Sequence, residues 1–224
     1  MTHTRGRMRG WVVAAIVFFL GVALPACPAS AWPVHVGVLG GIGLSKLRGP
    51  HSPVIELGEV KSACYGATVS IPIGARWWLQ PGVLVVTDGI LYGKFERSDV
   101  YGNLLGTFEL LHVLDRLQFP VLVRLASPNP GPLRPFVFAG PYAATRLREY
   151  DRATGSFTST VTDPALKRAE LGVTMGGGAQ WKLRTGQLEL QGRYDTGLTN
   201  LGVFRDLGTT ARTGALRFLA GYSY

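Results

Sequence analysis

The stretch whose reading decides the fold is residues 169–183, Ala-Glu-Leu-Gly-Val-Thr-Met-Gly-Gly-Gly-Ala-Gln-Trp-Lys-Leu. Ala169, Leu171, Val173, Met175, Ala179, Trp181 and Leu183 share one parity. Arg168, Glu170, Thr174, Gln180 and Lys182 share the other, with glycines among them. A period of two marks a β-strand whose two faces meet different surroundings. The next segment repeats it: Leu188, Leu190, Tyr194 and Leu198 alternate with Glu189, Gln191, Arg193 and Asp195. The last segment sets Leu216, Phe218, Ala220, Tyr222 and Tyr224 against Arg217, Gly221 and Ser223, with Leu219 as the exception.

Earlier segments follow the same rule. Leu117, Phe119, Val121, Val123 and Leu125 oppose Arg116, Gln118, Leu122 and Arg124. Upstream, Glu109 and Asp115 share parity with the apolar set. That predicts a bulge near Asp115, since one extra residue flips every later side chain. Pro120 has no N–H for the ladder and is expected on the inner side, at a local distortion. Tyr65, Ala67, Val69, Ile71 and Ile73 oppose Gly66, Thr68, Ser70 and Pro72; Trp77, Leu79, Val83 and Val85 oppose Gln80 and Asp88. Weaker, glycine-rich segments at about 34–46 and 135–148 bring the total to eight strands. Connections alternate between long and polar (47–62, 89–106, 149–166, 199–211) and short (74–75, 127–133, 184–186). In an up-and-down meander every long loop then falls at one end, as in outer-membrane barrels.

Composition limits the alternatives. The chain has 224 residues, a length compatible with one β domain. With 17% charged and 46% hydrophobic residues it is too apolar for disorder, and 30 glycines with 14 prolines exclude a coiled coil. Two cysteines cannot build a disulfide framework. The net charge of +9 is dispersed and no aromatic-basic motif accompanies it, so no nucleic-acid partner is expected. Arg5, Arg7 and Arg9 precede an uncharged stretch from Trp11 to Leu24, and Ala29-Ser30-Ala31 supplies small residues for cleavage. Residues 1–31 therefore read as a signal peptide and 32–224 as the barrel domain. Leu24-Pro25-Ala26-Cys27 resembles a lipoprotein box, but its proline departs from that pattern, so cleavage after Ala31 is favoured. Cys64, the one cysteine after that cleavage point, is read as a small core residue, with a reactive thiol as the alternative. No run of 18 apolar residues follows residue 31, which argues against helical spans in the mature chain.

Which face is greasy decides the solvent. Eight strands enclose a space that side chains can fill. Glu170, Glu189 and Asp195 are expected to pair there with Arg116, Arg124, Arg193 and Arg217, because an unpaired buried charge is costly. The apolar face, turned into water, would be a continuous sticky belt; turned into lipid, it is what a bilayer requires. Trp77, Trp181, Tyr222 and Tyr224 share the outward parity near the short turns, where an aromatic girdle belongs. The fold class is thus all-β: an eight-stranded antiparallel up-and-down transmembrane β-barrel.

Chemistry is sparse. His35, His51 and His112 lack metal-ligand spacing, and no metal or cofactor is expected. His51 and Ser52 lie near Glu56 in a long loop, but loops hold such residues by chance, and His112 reads as a wall residue. Gly176-Gly177-Gly178 lacks the following Lys-Ser/Thr of a phosphate loop and is read as room for packing. No catalytic residue is expected. Two alternatives stay open: a soluble periplasmic barrel binding an apolar ligand, and a lipid-modifying outer-membrane enzyme.

Several segments resemble a known family. Leu117-Gln118-Phe119-Pro120-Val121-Leu122-Val123-Arg124 is similar to its L-E-I-P-L-L-L-K strand, and Arg134-Pro135-Phe136-Val137-Phe138-Ala139-Gly140-Pro141-Tyr142 to its K-P-Y-x-x-A-G-P-Y strand. Residues 176–183, 188–194 and 197–200 resemble its G-x-G-x-E-x-K … L-x-E-x-R-Y-x-x-G-L-T-N ending. This is the PorT-like outer-membrane β-barrel domain family, loosely related to OmpA-type barrels. The resemblance implies an eight-stranded barrel in the outer membrane of a Gram-negative-type bacterium; a few members serve protein secretion. The expected partners are outer-membrane lipid, the barrel-assembly machinery through the C-terminal strand, and an unnamed partner of the long loops, with the chain a monomer. Gln118 and Gln191 stand where the family has glutamates, and Tyr224 where outer-membrane proteins usually end in phenylalanine.

Overall fold

The computed structural model describes residues 34–48, 60–98, 101, 104–128, 131–155, 159–161, 169–199 and 212–224. The expected signal peptide, Cys27, and the His51, Ser52 and Glu56 group lie outside these residues. Among the described residues there are nine strands: β1 His35–Arg48, β2 Val60–Pro72, β3 Trp77–Ser98, β4 Leu104–Ala126, β5 Leu133–Gly155, β6 Ser159–Val161, β7 Ala169–Lys182, β8 Gln187–Gly197 and β9 Arg212–Ser223. All their pairings are antiparallel. Eight strands form a closed ring, β1-β2-β3-β4-β5-β7-β8-β9, sealed by a β1–β9 ladder from Gly37↔Ser223 to Arg48↔Arg212. β6 is a short addition to the far end of β5.

The parity read from the sequence is the parity of the wall. Glu189, Gln191, Arg193 and Asp195 of β8 are buried inside, while Leu190 faces out. Ile42, Tyr65, Val137, Leu171, Leu190 and Phe218 are among the exposed outward residues, on strands all round the ring. Closure removes the sheet edges that hydrocarbon could not solvate.

Glycine sets the bore. Gly43 of β1 lies opposite Arg217 of β9, and a Cβ there would come within 2.7 Å of Arg217 Cγ. Gly176 and Gly178 of β7 lie opposite Phe138 and Phe136 of β5. A Cβ would stand 2.6 Å from Phe138 Cζ and 2.9 Å from Phe136 Cζ. The Gly176-Gly177-Gly178 run is therefore room for two aromatic rings packed inside a narrow cylinder.

Pro120 is fully buried, and the ladder is interrupted on both sides of it, between Pro81↔Val121 and Leu84↔Gln118 and between Pro120↔Tyr142 and Val123↔Ala139. Two expectations need correction. The irregularity near Asp115 exists, but the extra residue is Leu147 on β5, not a residue of β4: Asp115 pairs with Arg148 and Arg116 with Arg146. Asp115 keeps its outward parity and accepts a hydrogen bond from Thr87 Oγ1 (2.7 Å). The reason is height. Trp77 to Thr87, and Leu125 to Asp115, each span ten residue-to-residue steps; at ~3.3 Å rise and ~40° tilt this is about 25 Å, the height of an apolar band. Asp115 lies at its upper edge and needs no inward turn.

The second correction concerns residues 89–106, expected as a long loop. β3 continues to Ser98 and β4 begins at Leu104, and β5 likewise runs on to Gly155. Above the band both faces can meet water, so alternation fades from the sequence although the backbone ladder persists.

Candidate functional site

The lumen collects the ionised side chains. Asp88 enters from β3, Arg116 and Arg124 from β4, Glu170 from β7, Glu189, Arg193 and Asp195 from β8, and Arg217 from β9; all are buried. Four arginines face four carboxylates, so among the described residues the buried charges of the lumen sum to zero.

They form two groups. Toward the long-loop end, Asp88 is gripped by Arg116 and by Arg217 (2.6 Å), linking β3 to β4 and β9. Arg116 also pairs with Glu170, and Arg217 with Asp195. Arg193 pairs with Asp195 at 3.1 Å. Hydroxyls fill the remaining acceptor positions. Ser62 donates to Asp88 (3.0 Å), Thr174 to Asp195 (2.5 Å) and Tyr142 to Glu170 (3.0 Å), with Thr213 donating to the same Glu170 oxygen. Toward the short turns, Arg124 donates to Glu189 (2.7 Å) and Gln180 (2.9 Å), and its guanidinium lies 3.5 Å above the Phe136 ring. That adds a cation–π contact in a desolvated place.

Between and beside these groups lie apolar clusters, with the buried polar side chains of Thr68, Gln80, Gln118 and Gln191. Leu39, Cys64, Leu84, Val86 and Leu219 form one cluster, and Leu122, Phe136 and Phe138 another. Cys64 is a free, buried thiol in the first. The arrangement is a plug: charge against charge, then packed hydrocarbon, across the width of the cylinder.

All seven ionised residues singled out in the sequence are brought into this lumen. Sequence reasoning puts Asp88 on the inner face but does not count it among the pairing charges, and it is the hub of the larger group. Its inward parity, opposite Trp77 and Val83, is the signal that could have added it to them. Sequence reasoning also does not name the hydroxyls of Ser62, Tyr142, Thr174 and Thr213 as partners of these charges, although all have inward parity and Thr174 already shares the face of Glu170. Trp77 and Trp181 face outward at the short-turn end, each about half exposed. Tyr222 donates to the Thr185 carbonyl (2.9 Å), and Tyr224 exchanges backbone hydrogen bonds with Val36. His35 packs on Trp78 (centroids 5.7 Å apart), and His112 lies in β4 paired with Ile90 and Asp151. Among the described residues no three His, Cys, Asp or Glu side chains gather as metal ligands, and no helix is long and apolar enough to cross a membrane.

A family model described as outer membrane protein beta-barrel domain matches residues 30–202. The chain belongs to this family. It is thus an outer-membrane β-barrel protein of a Gram-negative-type cell, and the greasy exterior and sealed cylinder are the adaptations that this family requires. No curated protein matches the sequence. Among solved structures, Ail of Yersinia pestis, in complex with the heparin analogue sucrose octasulfate, is similar at 11% identity and TM-score 0.39, covering 85% of this chain and 99% of that one. Neisserial surface protein A is similar at 12% identity and TM-score 0.44, covering 85% and 97%. OprG of Pseudomonas aeruginosa is similar at 9% identity and TM-score 0.46, covering 85% and 95%. Likeness at this level says nothing of what this family member does.

Proposed function

We propose that this outer-membrane barrel is a closed, monomeric, non-enzymatic scaffold that presents its long-loop end to a partner outside the cell. The observation that carries the reading is the neutral plug of four arginines and four carboxylates, which closes the bore while β3, β4 and β5 extend beyond the apolar band. A barrel built to pass solutes has no use for such a plug; a barrel built to hold a rigid extension does. Outer-membrane lipid meets the outward face, with Trp77, Trp181, Tyr222 and Tyr224 as its girdle, and β9 with Tyr224 is the strand offered to the barrel-assembly machinery. The motif likeness to PorT-like barrels makes secretion or upkeep of the envelope the setting we favour.

Two experiments test this. In planar bilayers the purified barrel is expected to give no stable conductance, and stable open channels at modest voltage would contradict the closed scaffold. Alanine at His51 and Ser52 is expected to leave the cell's lipid A and phospholipid profile unchanged. A changed profile would favour the lipid-modifying reading instead.

A further inference from the structure

Along the apolar band the outward face carries no charge among the described residues; outward charges begin at its long-loop edge. On β4 and β5 they balance, Asp115 lying opposite Arg148. On β9, β1 and β2 they do not. Arg212, the first residue of β9, shares the outward parity of Leu216 and Phe218 and is exposed. Lys61 on β2 shares the outward parity of Ala63 and Tyr65 and is exposed. It stands two residues beyond Ala63, whose partner Thr87 marks the upper edge of the band. Between these two strands, Lys46 and Arg48 hold the next outward register positions of β1 after Leu44. Lys61 pairs with Leu44, Lys46 with Gly214 and Arg48 with Arg212. The four positions span two strand spacings, about 10 Å across the ladder. Among the described residues no aspartate or glutamate shares the outward face of these three strands, and neither Lys61 nor Arg212 takes part in an ion pair.

Nearer mid-band, on the overlapping arc β1-β9-β8, the wall is indented. Gly40, Ala220 and Leu190 form one outward row across the ladder, and Ile42, Phe218 and Gly192 form the next. They line a groove of about 440 Å³ on the lipid side. Packing does not demand its small residues: a Cβ on Gly40 would meet only the Tyr65 Cβ, at 4.0 Å, and one on Gly192 the Phe218 ring, at 3.6 Å. Lys46 is four residues along β1 from Ile42, and Arg212 six along β9 from Phe218, roughly 13 and 20 Å at the rise of a strand. An apolar groove at chain depth, with unbalanced cations at headgroup depth on the same strands, matches a lipid with acyl chains below and phosphate above.

We infer that this arc binds a phosphorylated, acylated glycolipid of the outer leaflet, of the lipopolysaccharide class. An acyl chain lies in the groove over Gly40, Gly192 and Ala220, and phosphates meet Lys61 and Arg212. The spread of the cations over two strand spacings suits separated phosphates better than a single phosphodiester. The inference rests on the reading of the long-loop end as the outer one and specifies which lipid that face selects.

The test inserts the barrel into phosphatidylcholine nanodiscs holding a small fraction of bisphosphorylated lipid A, of its dephosphorylated form or of phosphatidylglycerol. The lipids retained on release into detergent are counted by native mass spectrometry. Insertion is checked first by heat-modifiable migration; a chain that does not insert would count against the barrel reading itself, and the conductance of the closed scaffold is read separately. The wild type is expected to retain bisphosphorylated lipid A over each of the other two by roughly tenfold, as a few lysines or arginines near a surface would give. Lys61→Gln/Arg212→Gln is expected to lose most of that preference, while Arg148→Gln, on the balanced arc, keeps it. Gly40→Leu/Ala220→Leu, which fills the groove and leaves the cations in place, is expected to lower retention several-fold. Inorganic phosphate at millimolar concentration should not compete. Equal retention of the two lipid A forms, a preference that survives Lys61→Gln/Arg212→Gln, or retention unchanged by filling the groove would overturn the inference. Phosphatidylglycerol held as well as lipid A, or displacement by free phosphate alone, would do so too.

Discussion

Arg217 shows how much one side chain can hold. It is fully buried, contacts Asp88, Asp195 and Ser62, and lies over Gly43. Replacing it with leucine would strand two carboxylates, and breaking a buried pair in this way costs about 3–5 kcal/mol. Arg217→Leu is therefore expected to lower stability by that amount in urea titrations in detergent, and adding Asp195→Asn should recover part of the loss. Gln118 and Gln191 follow the same arithmetic. Both are buried, at 2% and 4% exposure. The described lumen is already balanced, four against four, so glutamates at these positions would add uncompensated charge. That accounts for the departure from the resembling family's pattern. Gln118→Glu is expected to destabilise by a few kcal/mol, an effective penalty of the size buried ions carry; no change in the unfolding midpoint would contradict the balanced lumen. Space is equally specific. Gly43→Ala should cost roughly 1–3 kcal/mol through overpacking against Arg217. Gly192→Ala, whose nearest heavy atom would be the Phe218 ring at 3.6 Å, should cost little.

At the scale of elements, β7, β8 and β9 are fully legible in the sequence, because inside the apolar band each residue must choose between lipid and lumen. Where that demand ends, legibility ends too. The extensions of β3, β4 and β5 read as loops, and the parity change at Asp115 reads as a bulge that in fact belongs to Leu147 across the ladder. In both cases a backbone continues its hydrogen bonds without any need for alternation. The lumen is legible as a list of charges but not as a network. Parity places Asp88 inside, yet which arginine it meets depends on the stagger of strands far apart in sequence, such as β3 and β9. If Asp115 lies above the band, Asp115→Leu should leave stability and insertion within about 0.5 kcal/mol of wild type, as for an ordinary surface change. A residue forced into hydrocarbon would instead gain markedly from losing its charge.

For the whole molecule, the central claim is that the ionised face lines the cylinder and the apolar face meets lipid. The glycine-lined bore and the exposed apolar exterior rest on this orientation. Single tryptophans placed at Leu190 and Phe218, outward on β8 and β9, and at Gln191 and Leu219, inward beside them, separate the two faces in a tryptophan-free background. The most direct measurement is quenching of each tryptophan by lipids brominated along the acyl chain, in reconstituted bilayers. The first pair should be strongly quenched and the second pair scarcely at all. Strong quenching at 191 and 219, with 190 and 218 shielded, would mean that the charged face meets lipid and the greasy face lines the bore, the reverse of the claim.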